Sequence, residues 1–530
     1  MGSCRNGTHK ETFILAVDVG TTSMRCHIYD KEASVRGSCS TKVNVLHPQP
    51  GWVEMDPEEI WRGFVAVVKG ALQDSGLHAK QMAALGISTQ RGTFTTWDRR
   101  TGVPFHNFIG WQDLRAAQLV QRWNRSCTMK LVHGVMKLLH LLTRQKRFLA
   151  ASLVVFSTQH VTFRLSCTCV LIYPPAQVRH AVLDDNCCFG TIDTWLVFRL
   201  TNGACVLQNA VEPHVTSILR PALLQMCWSG FLCALVSLPL SIFPSVQDTG
   251  HHFGLTAPAI FGAPIPITCM ADQQAAMFGE CCFDTGDLKI TMGTGTFMDI
   301  NTGSKPHTSV AGLYPLVGWK MGPELVYLAE GNAADTGTAI KWAQELELFS
   351  DVRDTEAMAS SVDNSDGVCF VPSFSGLQVG SCAPLNDPRA CAAFMGLKPS
   401  TNKCHLVRSI LESVAFRNKQ LYDIMLRETR IPITKIRADG GVCTNNFIMQ
   451  MTADLLGKKV ERPSHFDMSS LGAAFMAGLA VGFWKSPEEL KKLRCTDTVF
   501  IPQAELGTYR PLLRGWEQAL RRSMCWYDQS

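Results

Sequence analysis

The sequence predicts an α/β protein made of two related lobes, and three features of the chain lead to this prediction. Short apolar strands alternate with amphipathic helices, which is the pattern of α/β architecture. Each half of the chain contains two short strands joined by a Gly- and Thr-rich turn, at 13–29 and at 291–301. Of the 530 residues, 46% are hydrophobic and 18% are charged, so we expect large buried cores and exclude a disordered, collagen-like or coiled-coil chain.

The first half of the chain begins with a hairpin and continues with further strands and one clear helix. Apolar runs predict the strands, and apolar residues at helical spacing predict the helix. The predicted elements are strands at Phe13–Val17 and Met24–Tyr29, a helix at Pro57–Leu72, and strands at Met82–Ser88 and Pro264–Met270.

The second half repeats this arrangement without repeating the sequence. A hairpin over Thr291–Asn301 turns near Gly293, and a strongly amphipathic helix covers Leu406–Leu421. A short strand, Ile436–Asp439, stops at two glycines, and a helix follows over Asn446–Leu456. The similarity of the two hairpins predicts two related lobes that meet near residue 280.

Charge, cysteines and apolar runs exclude several classes of protein. A net charge of only +5, spread along the chain, argues against binding to nucleic acid or to an acidic membrane. The 21 cysteines form no CxxC pair, so a zinc ribbon is not expected, and reduced thiols in the cytoplasm are the simplest interpretation. Pro221–Val246 has no charged residue and is long enough to span a bilayer, but two prolines favour a buried helix and loop. A membrane anchor is the alternative for this stretch.

Two hairpin turns are candidate phosphate sites. In Asp18-Val19-Gly20-Thr21-Thr22-Ser23 a carboxylate ends a strand, and small residues then present backbone N–H groups and hydroxyls, with Arg25 nearby. Such a turn suits phosphate oxygens, and the carboxylate suits a phosphate-bound metal. The second turn, Gly293-Thr294-Gly295-Thr296, is a weaker candidate by itself. An ordinary hairpin turn is the alternative for both.

Two strand ends carry polar residues with more than one interpretation. Asp272 follows an apolar strand and precedes Gln273, so it could be a general base or simply the N-cap of a helix. Asp439-Gly440-Gly441, with Asn445 beyond it, could let a flat ligand approach the backbone, or could be an ordinary βα turn. No GxxxxGK[ST] and no GxSxG occurs, which excludes a P-loop enzyme and the usual hydrolase elbow.

Taken together, these motifs resemble those of the glycerol kinases in the FGGY carbohydrate-kinase family. The matching stretches follow the family order and cover most of the chain. They are AVDVGTTSMR (16–25), GWVEMDP (51–57), GISTQRGTFTTWD (86–98), WQDLR (111–115), FGTIDTWL (189–196), ADQQAAMFGE (271–280), TMGTGTF (291–297), DTGTAIKW (335–342), HLVRSILESVAF (405–416), RADGGVCTNNFIMQM (437–451) and LGAAFMAGLAVGFW (471–484).

The resemblance implies two actin-like lobes of the ribonuclease-H type, at 1–283 and 284–530, with a cleft for ATP and substrate between them. It implies ATP- and Mg²⁺-dependent phosphorylation of glycerol to sn-glycerol 3-phosphate, which would supply glycerolipid metabolism. The expected binding partner is a small polyol, and neither nucleic acid nor a membrane is expected. Because members of the family often form dimers or tetramers, the resemblance also implies a homo-oligomer.

The resemblance also implies roles for particular residues. Asp272 matches the catalytic base and, with Asp18, the metal site. The residues that match the substrate pocket are Arg91, Trp111, Asp272, Gln273 and Phe297. The residues that match ATP contacts are Thr21, Thr22, Ser23, Arg25, Thr294, Gly337, Gly441 and Asn445.

Several positions depart from the family pattern, mostly on the substrate side. Gly92 stands where a glutamate usually follows the pocket arginine, and no tyrosine occurs within 155–165, the nearest being Tyr173. NAVEPHVT replaces the family's Asp-x-x-Asn-Ala-Ser segment at 209–216, Lys341 replaces a nucleotide-side glutamine, and Val379–Cys382 is an insertion. Two alternatives therefore stay open: a kinase for another small polyol or sugar, and a degenerate kinase that binds nucleotide and regulates a partner.

Overall fold

The computed structural model describes most of the chain between residues 11 and 527. The exceptions within that span are 154–155, 157–163, 167–174, 205–207, 211–227, 229, 236–237, 311, 375, 378–386, 388 and 466. Tyr173, the insertion Val379–Cys382, most of the replaced segment at 209–216 and most of the expected tyrosine position at 155–165 lie outside the described residues.

The described residues form strands that we number β1 to β20 in chain order. They are Phe13–Val19, Ser23–Tyr29, Val35–Lys42, Glu54–Met55, Met82–Thr89, Phe94–Asp98, Phe108–Ile109, Cys187–Thr191, Gln208–Ala210, Ser245–Gln247, Ile267–Ala271, Asp287–Met292, Thr296–Gly303, Tyr314–Met321, Glu324–Ala333, Cys369–Val371, Ala393–Met395, Lys435–Asp439, Val460–Pro463 and Thr496–Phe500.

The α-helices of the described residues are numbered α1 to α16 in the same way. They are Pro57–Ser75, Ala117–Arg125, Cys127–Thr143, Lys146–Leu153, Pro175–Leu183, Ile192–Leu200, Gly230–Leu235, Pro258–Phe261, Asp272–Gly279, Gly337–Glu345, Asp354–Ser360, Lys403–Thr429, Asn446–Leu456, Met468–Ala480, Pro487–Leu493 and Leu506–Ser523. The strands and helices predicted from the sequence are all present, which confirms the α/β class.

The chain divides into two compact units. The first unit consists of the described part of Met1–Cys281 with Trp319–Leu325 and Ser469–Leu493. The second unit consists of Cys282–Gly318, Val326–Met468 and the described part of Arg494–Ser530. The sequence predicted one cut after residue 283, whereas two later segments of the chain also join the first unit.

The first unit is built on a five-stranded sheet with the order β3-β2-β1-β5-β11. β1 is antiparallel to β2 and parallel to β5, and β11 is parallel to β5. β1 reads as a continuous apolar run because it is a central strand, covered on both faces. Helix α1 begins at the N-cap Asp56, whose carboxylate accepts the Glu58 N–H at 2.7 Å, and buries one face that includes Phe64.

The second unit is built on a seven-stranded sheet with the order β14-β15-β13-β12-β18-β19-β20. β12 is antiparallel to β13 and parallel to β18. Helix α12 was predicted over Leu406–Leu421 but extends over Lys403–Thr429. The cap residue Asn402 accepts the His405 N–H at its start, and Arg430 ends it in the left-handed conformation.

The two sheets share the same central order and strand directions. β3-β2-β1-β5-β11 in the first unit corresponds to β15-β13-β12-β18-β19 in the second. In each, an antiparallel hairpin is followed by a third antiparallel strand on one side and by two parallel strands on the other. This confirms the prediction of two related lobes.

None of the helices in the described part of the chain has both the length and the apolar character needed to cross a bilayer. In the candidate span Pro221–Val246, the described residues form the short helix α7, a single 3-10 turn and strand β10.

Candidate active site

Three groups of predicted site residues meet at one edge of the first sheet. β1, β5 and β11 run parallel, so their carboxyl ends lie side by side. The first turn follows β1, Gln90 and Arg91 follow β5, and Asp272 follows β11. The sheet therefore brings together residues that are far apart in sequence.

The first hairpin turn is closed by a hydrogen bond from the Gly20 N–H to the Ser23 carbonyl, at 3.0 Å. Asp18 and Arg25 stand directly opposite each other at the base of the turn, one on β1 and one on β2. Both are half-buried, while Thr22 at the tip is exposed. The turn thus presents hydroxyls to solvent beside one carboxylate and one guanidinium.

Gln90, to which the sequence interpretation gave no role, is a buried side chain that hydrogen-bonds to this turn. It is 2% exposed, and its amide donates to the Gly20 carbonyl at 3.2 Å. Its Oε1 accepts the hydroxyls of Thr21 at 3.1 Å and Thr93 at 3.2 Å. The Trp111 indole N–H donates to Thr21 Oγ1 at 3.1 Å. A predicted substrate residue and a predicted phosphate residue are therefore in direct contact. The available signal for Gln90 was its place beside Arg91 at a strand end.

Asp272 is not the N-cap that the sequence left open as an alternative, and its role as a general base stays a prediction. It is the first residue of α9, after the N-cap Ala271, and its Oδ1 accepts the Gln273 N–H at 2.8 Å. The Arg91 Nε lies 3.6 Å from the same oxygen. The Asp272 side chain is still 25% exposed, whereas Arg91 is 8% exposed. The carboxylate therefore has a fixed position against a helix N-terminus and an arginine, and keeps an open side for a ligand.

Gly92, the position where the family pattern has glutamate, contributes only backbone. It has a φ of 70°, in the left-handed region that favours glycine. Its carbonyl accepts Arg164 Nη2 at 2.7 Å, and the fully buried Arg164 also donates to the Gly110 carbonyl. Arg164 was not predicted, because it lies in the stretch Gln159–Val182, whose periodicity is weak.

The second hairpin turn is held by close backbone packing. The Gly293 N–H donates to the Gly295 carbonyl at 2.9 Å. The first N–H groups of α10 donate to the turn, from Thr336 to the Thr294 carbonyl at 3.1 Å and from Gly337 to the Gly293 carbonyl at 3.0 Å. A Cβ on Gly337 would lie 2.5 Å from the Gly293 oxygen, so the helix can reach the turn only through a glycine.

Gly440, adjacent to the predicted Gly441, makes a second close backbone contact next to this turn. Its φ is 92°, and a Cβ there would lie 2.5 Å from the Met292 carbonyl oxygen. A single 3-10 turn follows, and Asn445 then caps α13 by accepting the Ile448 N–H at 3.1 Å. Asn445 therefore has a local structural role here, and its predicted contact with nucleotide stays a prediction.

Buried charged side chains form a row across three neighbouring strands of the second sheet, β12, β13 and β15. Lys289 on β12 stands opposite Asp299 on β13, with Nζ 2.9 Å from Oδ2 and both side chains fully buried. Glu330 on β15 stands opposite Asp299. Burial lowers the pKa of Lys289, but the nearby carboxylates of Asp299, Asp439 and Glu330 outweigh it, and the net pKa is raised. Asp439 also accepts the Thr291 hydroxyl at 2.5 Å, so the row supports the strand that leads into Gly440.

Two other residues of the sequence interpretation lie in the second unit. Phe297, predicted for the substrate pocket, is on β13 opposite Thr291 and Asn332, and its role stays a prediction. Lys341, which replaces a glutamine of the family pattern, is 77% exposed on α10 and pairs with Glu345 at 3.6 Å.

The predicted metal residues suit a magnesium ion that arrives with a nucleotide. Within the described residues, no three His, Cys, Asp or Glu side chains cluster closely enough to hold a metal by themselves. Mg²⁺ commonly takes one or two protein carboxylates and completes its octahedron with waters and phosphate oxygens. Asp18, beside the first turn, and the partly exposed Asp272 fit that requirement.

Comparison with known proteins matches both halves of the chain. The N-terminal domain of the FGGY family of carbohydrate kinases matches residues 13–279, and the C-terminal domain of that family matches residues 288–481. Glycerol kinase 5 of Danio rerio is 70% identical over 537 aligned positions, with all of both chains covered. Glycerol kinase 5 of Homo sapiens is 56% identical, with 98% of this chain and 96% of that one covered. The crystal structure of a Plasmodium falciparum glycerol kinase with ADP is 28% identical, with a TM-score of 0.81 over 97% of this chain and 98% of that one.

Proposed function

The chain belongs to the FGGY family of carbohydrate kinases, and we propose that it transfers the γ-phosphoryl group of ATP to a terminal hydroxyl of glycerol. The product is sn-glycerol 3-phosphate. The observation that carries the proposal is the pairing of Asp272 with Arg91 beside the first turn, at one edge of parallel strands. The identities with glycerol kinase 5 of Danio rerio and Homo sapiens support the choice of glycerol.

Asp272 serves as the general base in this proposal. It takes the proton of the attacking hydroxyl while the hydroxyl oxygen bonds to the γ-phosphorus and the bond to the bridging oxygen breaks, so that ADP leaves. The hydrogen bond from the Gln273 N–H and the neighbouring Arg91 keep the carboxylate in one orientation. Arg91 also offers N–H donors to a substrate oxygen, and Gln273 and Trp111 border the same edge.

The two hairpin turns bind phosphate oxygens in this proposal. Thr21, Thr22 and Ser23 offer hydroxyl and backbone donors, with Arg25 adding positive charge. Thr294 offers the corresponding donors in the second unit, while Gly337, Gly441 and Asn445 contact the nucleotide. Mg²⁺, when bound with ATP near Asp18, neutralises the phosphate charge. Phosphoryl transfer depends mainly on such positioning and charge neutralisation.

Replacement of Asp272 with Asn tests the proposal. This change keeps the shape and removes the base, so we expect kcat for ADP release with glycerol to fall by about 10²- to 10⁴-fold, with a smaller change in KM. Asp363→Asn, at an exposed position with no assigned role, is the matched control and should retain activity. A wild-type protein that binds an ATP analogue but phosphorylates no alcohol would instead support the regulatory alternative.

One observation favours a second candidate, a kinase for a different small polyol. Gly92 supplies no carboxylate to accept a substrate hydroxyl, and its carbonyl is already engaged by Arg164. The pocket therefore lacks one acceptor that the family pattern contains. ADP release measured over a panel of polyols and sugars distinguishes the two: turnover with another alcohol and none with glycerol would favour the second candidate.

We also infer that the protein works in the cytoplasm, as its cysteine pattern indicates, and that it forms homo-oligomers, as the family resemblance implies. The thiols of Cys26 and Cys269 are deeply buried, and burial raises the pKa of both, so they remain protonated. Cell fractionation tests the location, and light scattering of the purified chain tests the oligomeric state.

A further inference from the structure

Helix α3 exposes a large apolar surface in the first unit. Of its seventeen residues, Cys127–Thr143, only Met129 is buried. Leu131 is 68% exposed, Leu138 is 57% exposed and Leu142 is 72% exposed. Helices of soluble proteins normally turn such residues toward a core, so a solvated face of this kind indicates an interaction surface.

The exposed leucines lie on one face of the helix. Leu131, Val135, Leu138 and Leu142 follow a spacing of four, three and four residues, which places them within an arc of about 60°. Leu141 on one side, and Val132 and Leu139 on the other, widen the apolar face to about half of the circumference. The helix is about 25 Å long at 1.5 Å per residue, so the face forms a long, flat strip.

The charge along this part of the chain has one sign. No aspartate or glutamate occurs anywhere in residues 114–183. Lys130 and Lys137 are exposed on the helix, and Arg144, Lys146 and Arg147 are exposed directly after it. Arg122 and Arg125 close the preceding helix, α2. An apolar strip whose own helix and neighbouring chain segments carry only cations is complementary to a surface with anionic headgroups over an apolar interior.

We propose that α3 is a peripheral docking surface for an anionic lipid bilayer. The helix lies flat, with its leucines in the boundary between headgroups and acyl chains and its lysines and arginines among the anionic headgroups. The expectation of no membrane partner rested on the small, diffuse net charge and on the stretch Pro221–Val246 as a spanning segment. The net charge of the whole chain conceals the purely basic stretch 114–183, and a helix that lies flat needs no spanning segment.

A second copy of the chain fits this surface less well. The heptad spacing covers only about two heptads, whereas a stable coiled coil needs about three or four. The positions that flank the strip in a helix pair would be Val132, Gly134, Leu139 and Leu141, and these provide no opposite charges to select a partner helix. Two copies would also bring their basic flanks together.

Sedimentation with lipid vesicles tests the proposal on the full chain. We expect the protein to bind vesicles in which about a third of the lipid is phosphatidylserine, to bind pure phosphatidylcholine vesicles weakly, and to be released by high salt. Leu138→Asp should abolish binding. Lys130→Glu combined with Lys137→Glu should weaken binding by at least about 25-fold, since each cation near an anionic surface contributes roughly fivefold.

Matched variants elsewhere on the surface provide the controls. Leu397→Asp, at a leucine that is 59% exposed, and the pair Lys458→Glu and Lys459→Glu should bind vesicles like the wild type. Because the altered side chains are exposed, thermal unfolding and kinase activity in solution should be unchanged in all variants. The proposal would be wrong if vesicle binding did not depend on phosphatidylserine, or if the Leu138→Asp variant bound vesicles like the wild type. So would an oligomer that dissociates on Leu138→Asp without any vesicle binding, since the face would then join copies of the chain.

Discussion

The first hairpin, β1–β2, has its turn held by buried side chains, whereas the second hairpin, β12–β13, has its turn held mainly by backbone packing, with one side-chain bond from the Thr338 hydroxyl to the Thr294 carbonyl. Gln90 and Trp111 bond to the first turn through three side-chain polar atoms, Gln90 Nε2, Gln90 Oε1 and Trp111 Nε1. The second turn packs against Gly337, the first residue of α10, whose N–H donates to the Gly293 carbonyl. The two units therefore reach similar turns with the same strand order but by different physical means.

The strands behind the turns differ in the same way. Three residue pairs back from the end of each hairpin, Ala16 stands opposite His27 in the first unit, and Lys289 stands opposite Asp299 in the second. Equivalent places in one topology thus hold an alanine–histidine pair and a buried lysine–aspartate ion pair. Strand order therefore sets where a turn lies. The side chains that support the turn determine how sensitive it is to substitution and to pH.

Lys289→Met should have the largest effect on this comparison. It removes the cation that pairs with the buried Asp299, which typically costs about 3–5 kcal/mol. We expect the denaturant midpoint of unfolding to fall accordingly. Lys341→Met removes an exposed ion pair and should change the midpoint little. If Lys289→Met is as mild as that control, the buried row does not support the second hairpin. The double variant Lys289→Met with Asp299→Leu should recover part of the lost free energy of unfolding.

Acid should destabilise the first unit through His106, a buried histidine whose pKa is clearly lowered. Burial lowers the pKa of His106 to about 4, and its ring nitrogens bond to Thr96 Oγ1 at 2.9 Å and the Asn107 carbonyl at 2.6 Å. The unfolded chain has a histidine pKa near 6.5, so protons bind the unfolded state more tightly. The contribution is fully present above about pH 6.5 and is lost as pH falls toward 4, by roughly 3 kcal/mol.

Thermal unfolding from pH 7.5 to 4 checks this prediction. The difference between the wild type and His106→Gln should shrink as pH falls through that range. Lys289 should contribute no change there, because its raised pKa affects stability only at alkaline pH. A difference that stays constant with pH would show that His106 titrates normally in the folded protein.

Gly337→Ala tests the backbone packing of the second turn. The new Cβ would lie 2.5 Å from the Gly293 carbonyl, so α10 or the turn must move, at a cost of about 1–3 kcal/mol. We expect KM for ATP to rise by about tenfold or more, since this cost corresponds to that change. Gly507→Ala, also near a helix start but with open space around it, should be neutral or slightly stabilising. Equal KM values in the two variants would contradict the packing account.

Trp111→Phe should have the smallest effect, because it removes one of several bonds to the first turn. The loss of the indole N–H to Thr21 is worth about 0.5–1.5 kcal/mol, which corresponds to a change of about two- to tenfold. ADP-release kinetics at varied ATP measure it. A loss as large as that of Gly337→Ala would mean that the first turn is as intolerant as the second, and the contrast between the hairpins would fail.

Much of the architecture was predictable because it depends on local pattern. The turns at Gly20 and Gly293, the helix that starts at Pro57 and the strand that stops at Gly440 all follow from residues within a few positions of each other. The departures at Gly92 and Lys341 were also visible in the sequence. The roles of Gln90 and Arg164 were not, since a buried polar side chain looks the same in sequence whether it supports a turn or faces solvent.

Amino-acid order alone was enough to specify the α/β class, the two hairpins and the strand ends that carry polar residues, because these are short-range consequences of periodicity and turn chemistry. The tertiary structure decided which strand ends meet. Arg91 and Asp272 are neighbours only because β5 and β11 pair in parallel, and Lys289 finds Asp299 only through the register of β12 and β13. It also decided that the leucines of α3 remain uncovered, since burial depends on what the rest of the fold places against a helix.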